Sequence, residues 1–204
     1  MFESGGADEP EIESYVADCP VGPELVGQIV ELAALPWDEP GVADRAVRDL
    51  GWSTRVPIDG ASFVTAAGHA VYTGSGLYMP FVHSYDVGGE LSSEDFWGTL
   101  PGWTSRRGAG RAEFGAHVDA VIDQFAGRLG APEWDVRAEG RRISLGSYSW
   151  RYAAWRRGSN VLVIGPALDS YSYSQDEEAV VYIGRLAEEA PFPAAAELLD
   201  FMRV

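Results

Sequence analysis

The sequence predicts an α+β fold in which antiparallel sheet carries its helices on one face. The second half of the chain holds five consecutive strand candidates without a helix between them, at roughly 141–147, 148–157, 160–166, 168–174 and 179–184. Parallel strands need long crossover connections, so strands this close together are expected to pair antiparallel. The predicted helices each have a single apolar stripe, which suits packing on one sheet face.

A near-repeat in the sequence suggests two similar halves. AVRDLGWSTRVPIDG at 46–60 and FAGRLGAPEWDVRAEG at 125–140 both run from a helix-like stretch through Leu-Gly to a Trp and a polar Gly turn. We interpret 21–204 as a single α+β domain, with suggested pseudo-repeat halves at 21–90 and 112–204 joined by a loop at 91–111. Trp52 and Trp134 hold equivalent places in the repeat, and we expect both to be buried against their helices.

Apolar residues at helical spacing define the individual helices. A first helix runs through GPELVGQIVELAALPW and ends at Pro36, and a second ends at Gly51. The clearest helix is AEFGAHVDAVIDQFAGRLG, and a last helix is predicted in FPAAAELLDFM. One face of the clearest helix carries the apolar side chains Phe114, Val118, Val121, Ile122, Phe125 and Leu129.

The charge distribution bears on the class of partner. The net charge is −16, and residues 1–44 hold eleven acids and no base, whereas residues 105–160 hold ten Arg against six acids. A surface this acidic repels phosphate backbones, so we expect no nucleic-acid partner. It would speed the encounter with a basic protein, although it is equally typical of a soluble surface without a partner.

The N-terminal region and the overall hydropathy bear on location and order. Residues 1–20 contain few large apolar side chains to offset the entropy of ordering them, which predicts a flexible acidic arm. The sequence contains no apolar run of about eighteen residues and no signal-peptide pattern. We therefore expect a cytoplasmic protein without a membrane partner. The oligomeric state is left open.

The residues that usually carry chemistry form no recognisable motif. The histidines His69, His83 and His117 lack metal-ligand spacing, so we expect neither a metal nor another cofactor. Cys19 is the single cysteine, and the neighbouring Asp18 suppresses its thiolate, which indicates an incidental thiol. The balance favours a protein that is not an enzyme.

A candidate recognition loop lies in DSYSYSQDEEA, where tyrosines alternate with carboxylates. Tyr side chains supply rigid contact area, and carboxylates complement Arg or Lys on a partner. The predicted partner-binding residues are Asp169, Tyr171, Tyr173, Asp176, Glu177 and Glu178. The alternative is a hairpin tip whose tyrosines pack across the sheet. Acids of the arm, including Glu9, Glu11 and Glu13, could add electrostatic steering.

Other segments support competing interpretations. A small-ligand or enzyme site between the halves would use His83, Asp86, Arg106 and Arg107. A secretion chaperone would add a peptide strand at the Pro80 edge, since proline in a strand indicates an edge or a bulge. The arginines of RRGAGR at 106–111 could bind a phosphate or carboxylate, although such a run is more often a solvated basic patch or pairs with the acidic arm of the chain. Trp97 and Trp103 would either plug the seam between the halves or form an exposed patch.

Two stretches carry a resemblance to a known family. VGQIVELAALPWDEPGVADRAVRDLGW and GRLGAPEWDVRAEGRRISL resemble segments of an actinobacterial family of immunity-like proteins associated with polymorphic toxin systems. The resemblance covers about a quarter of the chain and rests on helix-ending Gly and Trp residues. The family has no established catalytic residues, so none is implied here. The resemblance implies a non-enzymatic protein that binds and occludes a basic or Arg-lined toxin domain.

Overall fold

A computed structural model describes residues 12–37, 39, 41–54, 63–74, 76–88, 96–142, 146–168 and 176–202, with the backbone alone at 139–142 and 146–148. The described residues contain four α-helices and a ten-stranded sheet in which every strand pair is antiparallel. The predicted α+β class is therefore confirmed.

The helices and strands have the following bounds. The helices are α1 (Pro23–Ala33), α2 (Val42–Asp49), α3 (Arg111–Leu129) and α4 (Leu198–Phe201). The first five strands are β1 (Glu13–Asp18), β2 (Ser53–Thr54), β3 (Phe63–Val64), β4 (Ala70–Thr73) and β5 (Leu77–Val87). The other strands are β6 (Thr104–Arg107), β7 (Trp134–Arg142), β8 (Gly146–Arg157), β9 (Asn160–Leu168) and β10 (Glu177–Arg185).

Two four-stranded meanders make up most of the sheet. The strand order is β2-β3-β4-β5-β10-β9-β8-β7, so the last strands of the two meanders meet at the centre. Helix α2 precedes the first meander and α3 precedes the second. The two similar sequence segments lie at the same topological place, where a helix ends and the first strand of a meander begins.

The N-terminal segment departs from the predicted arm at 1–20. Residues 13–18 form β1, which pairs with β5 and with β6. Val16 and Ala17 are buried on opposite faces of the sheet, and this burial offsets the cost of ordering the segment. The predicted loop at 91–111 is corrected in the same way, because Thr104–Arg107 forms β6. Residues 1–11 and 89–95 lie outside the described residues.

Strand boundaries in the second half also differ from the prediction. The strand expected at 141–147 begins instead at Trp134, and β10 begins at Glu177 rather than at 179. The strand expected at 168–174 falls almost entirely on residues outside the described part of the chain. The segment after α3 alternates apolar and charged residues from Trp134 onward, which is the pattern of an edge strand with one exposed face.

Helices α1, α2 and α3 cover one face of the sheet, as predicted. Their stripes pack on side chains of β4, β5, β8, β9 and β10 in a single large core. The predicted apolar face of α3 is buried, except that its last residue, Leu129, is half-buried. Gly51 and Gly130 follow α2 and α3 with φ of 75° and 87°, as expected of residues that end a helix.

The other face of the sheet is covered by the C-terminal segment 186–202 and by the segment 96–103. Trp52 is buried in the helix-side core and donates its indole N–H to Gln28 of α1 at 3.1 Å. The expectation for Trp134 is wrong. Its side chain is half-buried on the face away from α3, where it stacks on Phe192 at 5.8 Å. The strand alternation after α3 places it there.

A β-bulge in β5 changes which residues face the helices. Ala179 pairs with Val82 and the next residue of β10 pairs with Pro80, so Phe81 is the extra residue. Phe81 and Val82 therefore both belong to the helix-side core. Beyond the bulge, Val82 faces the helices and His83 faces away. The prediction of an edge or a bulge at Pro80 is resolved in favour of the bulge.

Asn160 joins α1 to the β8–β9 hairpin. Its buried side-chain amide donates hydrogen bonds to the carbonyl oxygens of Ala33 and Leu35, at 2.9 and 2.6 Å. These carbonyls belong to the end of α1, where backbone acceptors have no partner within the helix. The amide therefore ties the end of α1 to the sheet.

Replacing Asn160 with Ala should lower the free energy of unfolding by about 2 kcal/mol, because two buried carbonyl groups lose their donor. Urea denaturation monitored by circular dichroism measures the change. The neighbouring Ser159→Ala variant is the control, since Ser159 is exposed and should change stability by less than about 0.5 kcal/mol. Equal stability of the Asn160→Ala variant and the unmodified protein would show that the link is not stabilising.

Candidate functional site

His83 lies on the sheet face away from α1–α3 and is unusual because it is buried without a hydrogen-bond partner among the described residues. Its ring is 1% exposed, and Nδ1 lies 3.8 Å from the Glu178 carboxylate on the adjacent strand β10. Tyr78 of β5 donates its hydroxyl hydrogen to the same carboxylate. With Trp97 and Trp103, which cover the imidazole, these residues form what we call the His83 cluster.

The two tryptophans seal the imidazole. The Trp97 ring stacks on His83 with ring centroids 3.5 Å apart and an angle of 13° between the planes. Trp103 packs against both rings, at 5.1 Å from His83 and 5.2 Å from Trp97. Among the described residues, neither ring nitrogen of His83 has a hydrogen-bond partner. Trp97 and Trp103 therefore act as a plug, which was one of the two predicted roles.

The segment that carries the plug is held by close backbone contacts. Gly68 and Gly102 pack against each other's loops so tightly that a Cβ on Gly102 would lie 1.7 Å from the Ala67 carbonyl oxygen. Trp103 donates its indole N–H to the Gly68 carbonyl at 3.2 Å. Only glycine suits Gly102, because its φ of 86° adds a conformational cost for any other residue.

Both buried histidines are neutral at pH 7. Burial lowers the pKa of His83 to about 3. Burial also lowers the pKa of His69 to about 4, although its hydrogen bond to the Cys19 carbonyl opposes this effect. His69 is further held by a 3.0 Å contact between its Nδ1 and the Thr65 hydroxyl. The His83 imidazole is covered in this conformation and cannot contact a substrate, and its lowered pKa makes it a weak base.

The other predicted pocket residues do not converge on His83. Asp86 faces the opposite side of the sheet and accepts a 2.8 Å hydrogen bond from Ser14. Arg106 pairs with Glu113 of α3, while Arg107 pairs with Glu13 of β1. Strand alternation places Asp86 and Arg106 on the face opposite His83, and Arg107 is engaged by Glu13, so the predicted site formed by these four residues is not assembled.

The predicted acidic tip is corrected at two positions. Glu177 and Glu178 are 0% and 4% exposed, because they lie inside β10 rather than in the preceding turn. Glu177 faces α3 and contacts the Arg111 guanidinium, while Glu178 faces the His83 cluster. Burial raises the pKa of Glu177 to about 8.

Of the remaining predicted contact residues, Asp176 is half-buried at the start of β10. Asp169, Tyr171 and Tyr173 lie outside the described residues. The predicted peptide-binding edge at Pro80 is wrong, since Pro80 is a buried residue of the central strand β5 and pairs with Val180 of β10. On its other side, the neighbouring strand changes from β4 to β1.

Sequence reasoning missed the pairs Arg111–Glu177 and Tyr78–Glu178. These residues are 66 and 100 positions apart; the pairing of β5 with β10 brings Tyr78 to Glu178, and the packing of α3 on the sheet brings Arg111 to Glu177. Cys19 is buried, and burial followed by the Asp18 charge raises its thiol pKa to about 12. The thiol is therefore unreactive at neutral pH, in agreement with the prediction from sequence.

A small cleft of about 50 Å³ lies between α3 and the second meander, lined in part by Arg111, Arg137 and Arg151. Arg151 is engaged by Asp119 and Asp135 at 2.7 and 2.8 Å. Within the described residues, no three His, Cys, Asp or Glu side chains are grouped as metal ligands would be. Every described helix is too short or too polar to cross a lipid bilayer.

The chain matches no protein-family model, and neither a curated protein nor a solved structure is significantly similar to it. The resemblance to immunity-like proteins thus stays a prediction.

Acid should destabilise the fold through His83. A histidine whose pKa is lowered on folding contributes stability that is fully present above its unfolded pKa of about 6.5 and falls as the pH drops toward the folded value. We expect a loss of about 2 kcal/mol from His83 between pH 7.5 and pH 5. Urea denaturation at both pH values should show a smaller acid loss for His83→Phe than for the unmodified protein.

His117→Gln is the matched control for this pH effect, because His117 is partly exposed on α3. It should leave the acid-dependent loss nearly unchanged. An identical pH dependence of the His83→Phe variant and the unmodified protein would contradict a buried, neutral His83.

Gly102→Ala should loosen the plug. The clash with Ala67 and the positive φ together should lower the free energy of unfolding by about 2–4 kcal/mol. Tryptophan emission should shift to longer wavelength as Trp97 and Trp103 become hydrated. Gly108→Ala is the control, since its φ is 73° but a Cβ there meets nothing within 4 Å. A Gly102→Ala variant no less stable than the control would refute the close contact.

Proposed function

We propose that this protein is a non-enzymatic, immunity-type protein that binds and occludes a basic or Arg-lined toxin domain. One observation carries the proposal. Five of the ten arginines in residues 105–160 form ion pairs within the molecule, so the positive charge that this segment offers against the surplus of carboxylates is reduced. A partner of opposite charge is the one that such a surface attracts.

The internal ion pairs connect the arginine-rich segment to acidic parts of the chain. Arg107 contacts Glu13 of β1, and Arg111 contacts Glu177 of β10, so two pairs cross from the basic segment to acidic ones. The paired arginines are Arg106, Arg107, Arg111, Arg151 and Arg156. The three RRGAGR arginines are thus engaged in ion pairs, and Arg107 pairs with Glu13 of the predicted arm, as one of the alternatives for this segment had it.

Exposed carboxylates lie on both sides of the sheet. Glu24 and Glu31 are exposed on α1, and Glu188 and Glu189 are exposed in the C-terminal segment. Surface carboxylates act mainly on the rate of association and on the choice of partner, because salt screens each single pair. We therefore expect fast, salt-sensitive capture of a basic domain.

The geometry of the titratable groups favours binding over catalysis. His83 is covered by Trp97, and two of the groups predicted to work with it, Asp86 and Arg106, lie on the other face of the sheet. The remaining proposed contacts are Tyr171, Tyr173, Asp169 and Asp176 around the β9–β10 connection. Tyrosines would anchor the contact and the two aspartates would pair with arginine or lysine of the toxin.

The decisive measurement is affinity capture with the tagged protein from a lysate of its native organism, at about 50 mM and 500 mM salt, followed by mass spectrometry. We expect one dominant basic partner that is retained better at low salt, because screening weakens the charge attraction. Coexpression should abolish the toxicity of that partner. Retention of no protein at either salt concentration would overturn the proposed function.

The contact residues are tested with the captured partner. Tyr171→Ala/Tyr173→Ala, and separately Asp169→Arg/Asp176→Arg, should weaken binding by about tenfold or more, measured by calorimetry. Glu188→Arg/Glu189→Arg makes the same charge change in the C-terminal segment and serves as the control. Unchanged affinity in both contact variants would place the interface elsewhere on the molecule.

A further inference from the structure

Strand β7 is the open edge of the second meander. It pairs with β8 along one side, and the order of the sheet ends with it. Within the described residues, no backbone hydrogen bond joins its outer side to another segment. At nine residues it is a long edge, and unpaired N–H and C=O groups in such an edge are a template for a further strand.

The charges along β7 alternate in sign at every second residue. Asp135, Arg137, Glu139 and Arg141 occupy alternate positions, which share a face in a regular strand. Asp135 and Arg137 are exposed there. A row of like charges would keep a second strand away, as charged edge residues commonly do. A row of alternating charges is instead complementary to a copy of itself that runs in the opposite direction.

We propose that β7 pairs antiparallel with β7 of a second copy of this chain, about a two-fold axis that passes through Ala138 perpendicular to the sheet. This register places Trp134 opposite the partner's Arg142 and pairs all nine residues of the strand. The same register places Asp135 opposite the partner's Arg141 and Arg137 opposite the partner's Glu139. The register of greatest length is thus also the register in which every charge on that face meets its opposite.

The neighbouring registers lack this match. Residues that share a face remain paired only if the axis moves by a whole residue along the strand. Moving it to Arg137 places two arginines opposite each other, and moving it to Glu139 places two glutamates opposite each other. Like charges directly opposite on paired strands are destabilising, so the charge pattern selects the register centred on Ala138.

The surroundings of Arg137 support a carboxylate partner from outside the chain. Arg137 lies opposite Arg151 in the β7–β8 ladder, and Arg151 already binds Asp119 and Asp135. The partner's Glu139 supplies the negative charge that this pair of arginines favours.

Single charge reversals test the register, because the two-fold axis makes each substitution appear at two places in the dimer. Arg137→Glu creates two Glu–Glu pairs in its own dimer, and Glu139→Arg creates two Arg–Arg pairs. Each variant alone should dimerise about tenfold or more weakly than the unmodified protein. An equimolar mixture of the two variants forms Glu–Arg pairs at all these positions, so it should dimerise with nearly the original affinity.

Sedimentation velocity of the full chain at about 150 mM salt, over roughly 1 to 200 μM protein, measures the dimer affinity. Arg128→Glu is the matched control. Arg128 is exposed on α3, so this substitution makes the same charge change away from β7. Circular dichroism and urea denaturation confirm that each variant is folded. The double variant Arg137→Glu/Glu139→Arg should dimerise like the unmodified protein.

The outcomes separate the possibilities. A weak dimer for each single variant together with recovery in the mixture supports the proposal. A chain that is monomeric at 200 μM overturns it, as does a dimer that Arg137→Glu and Glu139→Arg leave unaffected. A dimer weakened by both variants but not recovered by mixing them overturns the register centred on Ala138. None of these results depends on a toxin partner.

Discussion

The β-bulge between β5 and β10 is the constraint on which the arrangement of both sheet faces depends. A one-residue slip in a strand moves every following side chain to the other face. Because Phe81 is inserted opposite β10, Val82 continues the helix-side core and His83 points away from it. Pro80 fits at this place, since a residue without an N–H is tolerated where the ladder is interrupted.

Alternation along β10 explains how two adjacent glutamates can both be buried. Glu177 and Glu178 follow each other in β10, so they lie on opposite faces of the sheet. Each carboxylate finds a partner on its own side, Arg111 on the helix side and Tyr78 on the other. Burying a charge is costly unless it is paired, and these partners come from distant parts of the chain. The Tyr78–Glu178 contact thus joins the two halves in addition to the central strand pair, while Arg111–Glu177 joins α3 to the second meander.

A large share of the fold could be predicted from local patterns. The apolar stripe of α3 and the Leu-Gly helix ends indicated the helices, and the run of strand candidates indicated an antiparallel sheet. Strand β1 was missed because its burial depends on pairing with both β5 and β6, which no local pattern shows. The early start of β7 was missed because its charged alternation is also typical of a polar turn.

By itself, the sequence determined the fold class, the helix faces and the acidic balance of charge, because each of these follows from residue types at short spacing. Only the tertiary structure decided which polar groups meet. His83 was predicted to share a site with Asp86, yet strand alternation and the bulge place it under Trp97 instead. Glu177 and Glu178 read as a solvated acidic tip, yet they are interior residues. The physical reason is that burial and ion pairing depend on strand register, and register is set by contacts between residues far apart in the chain.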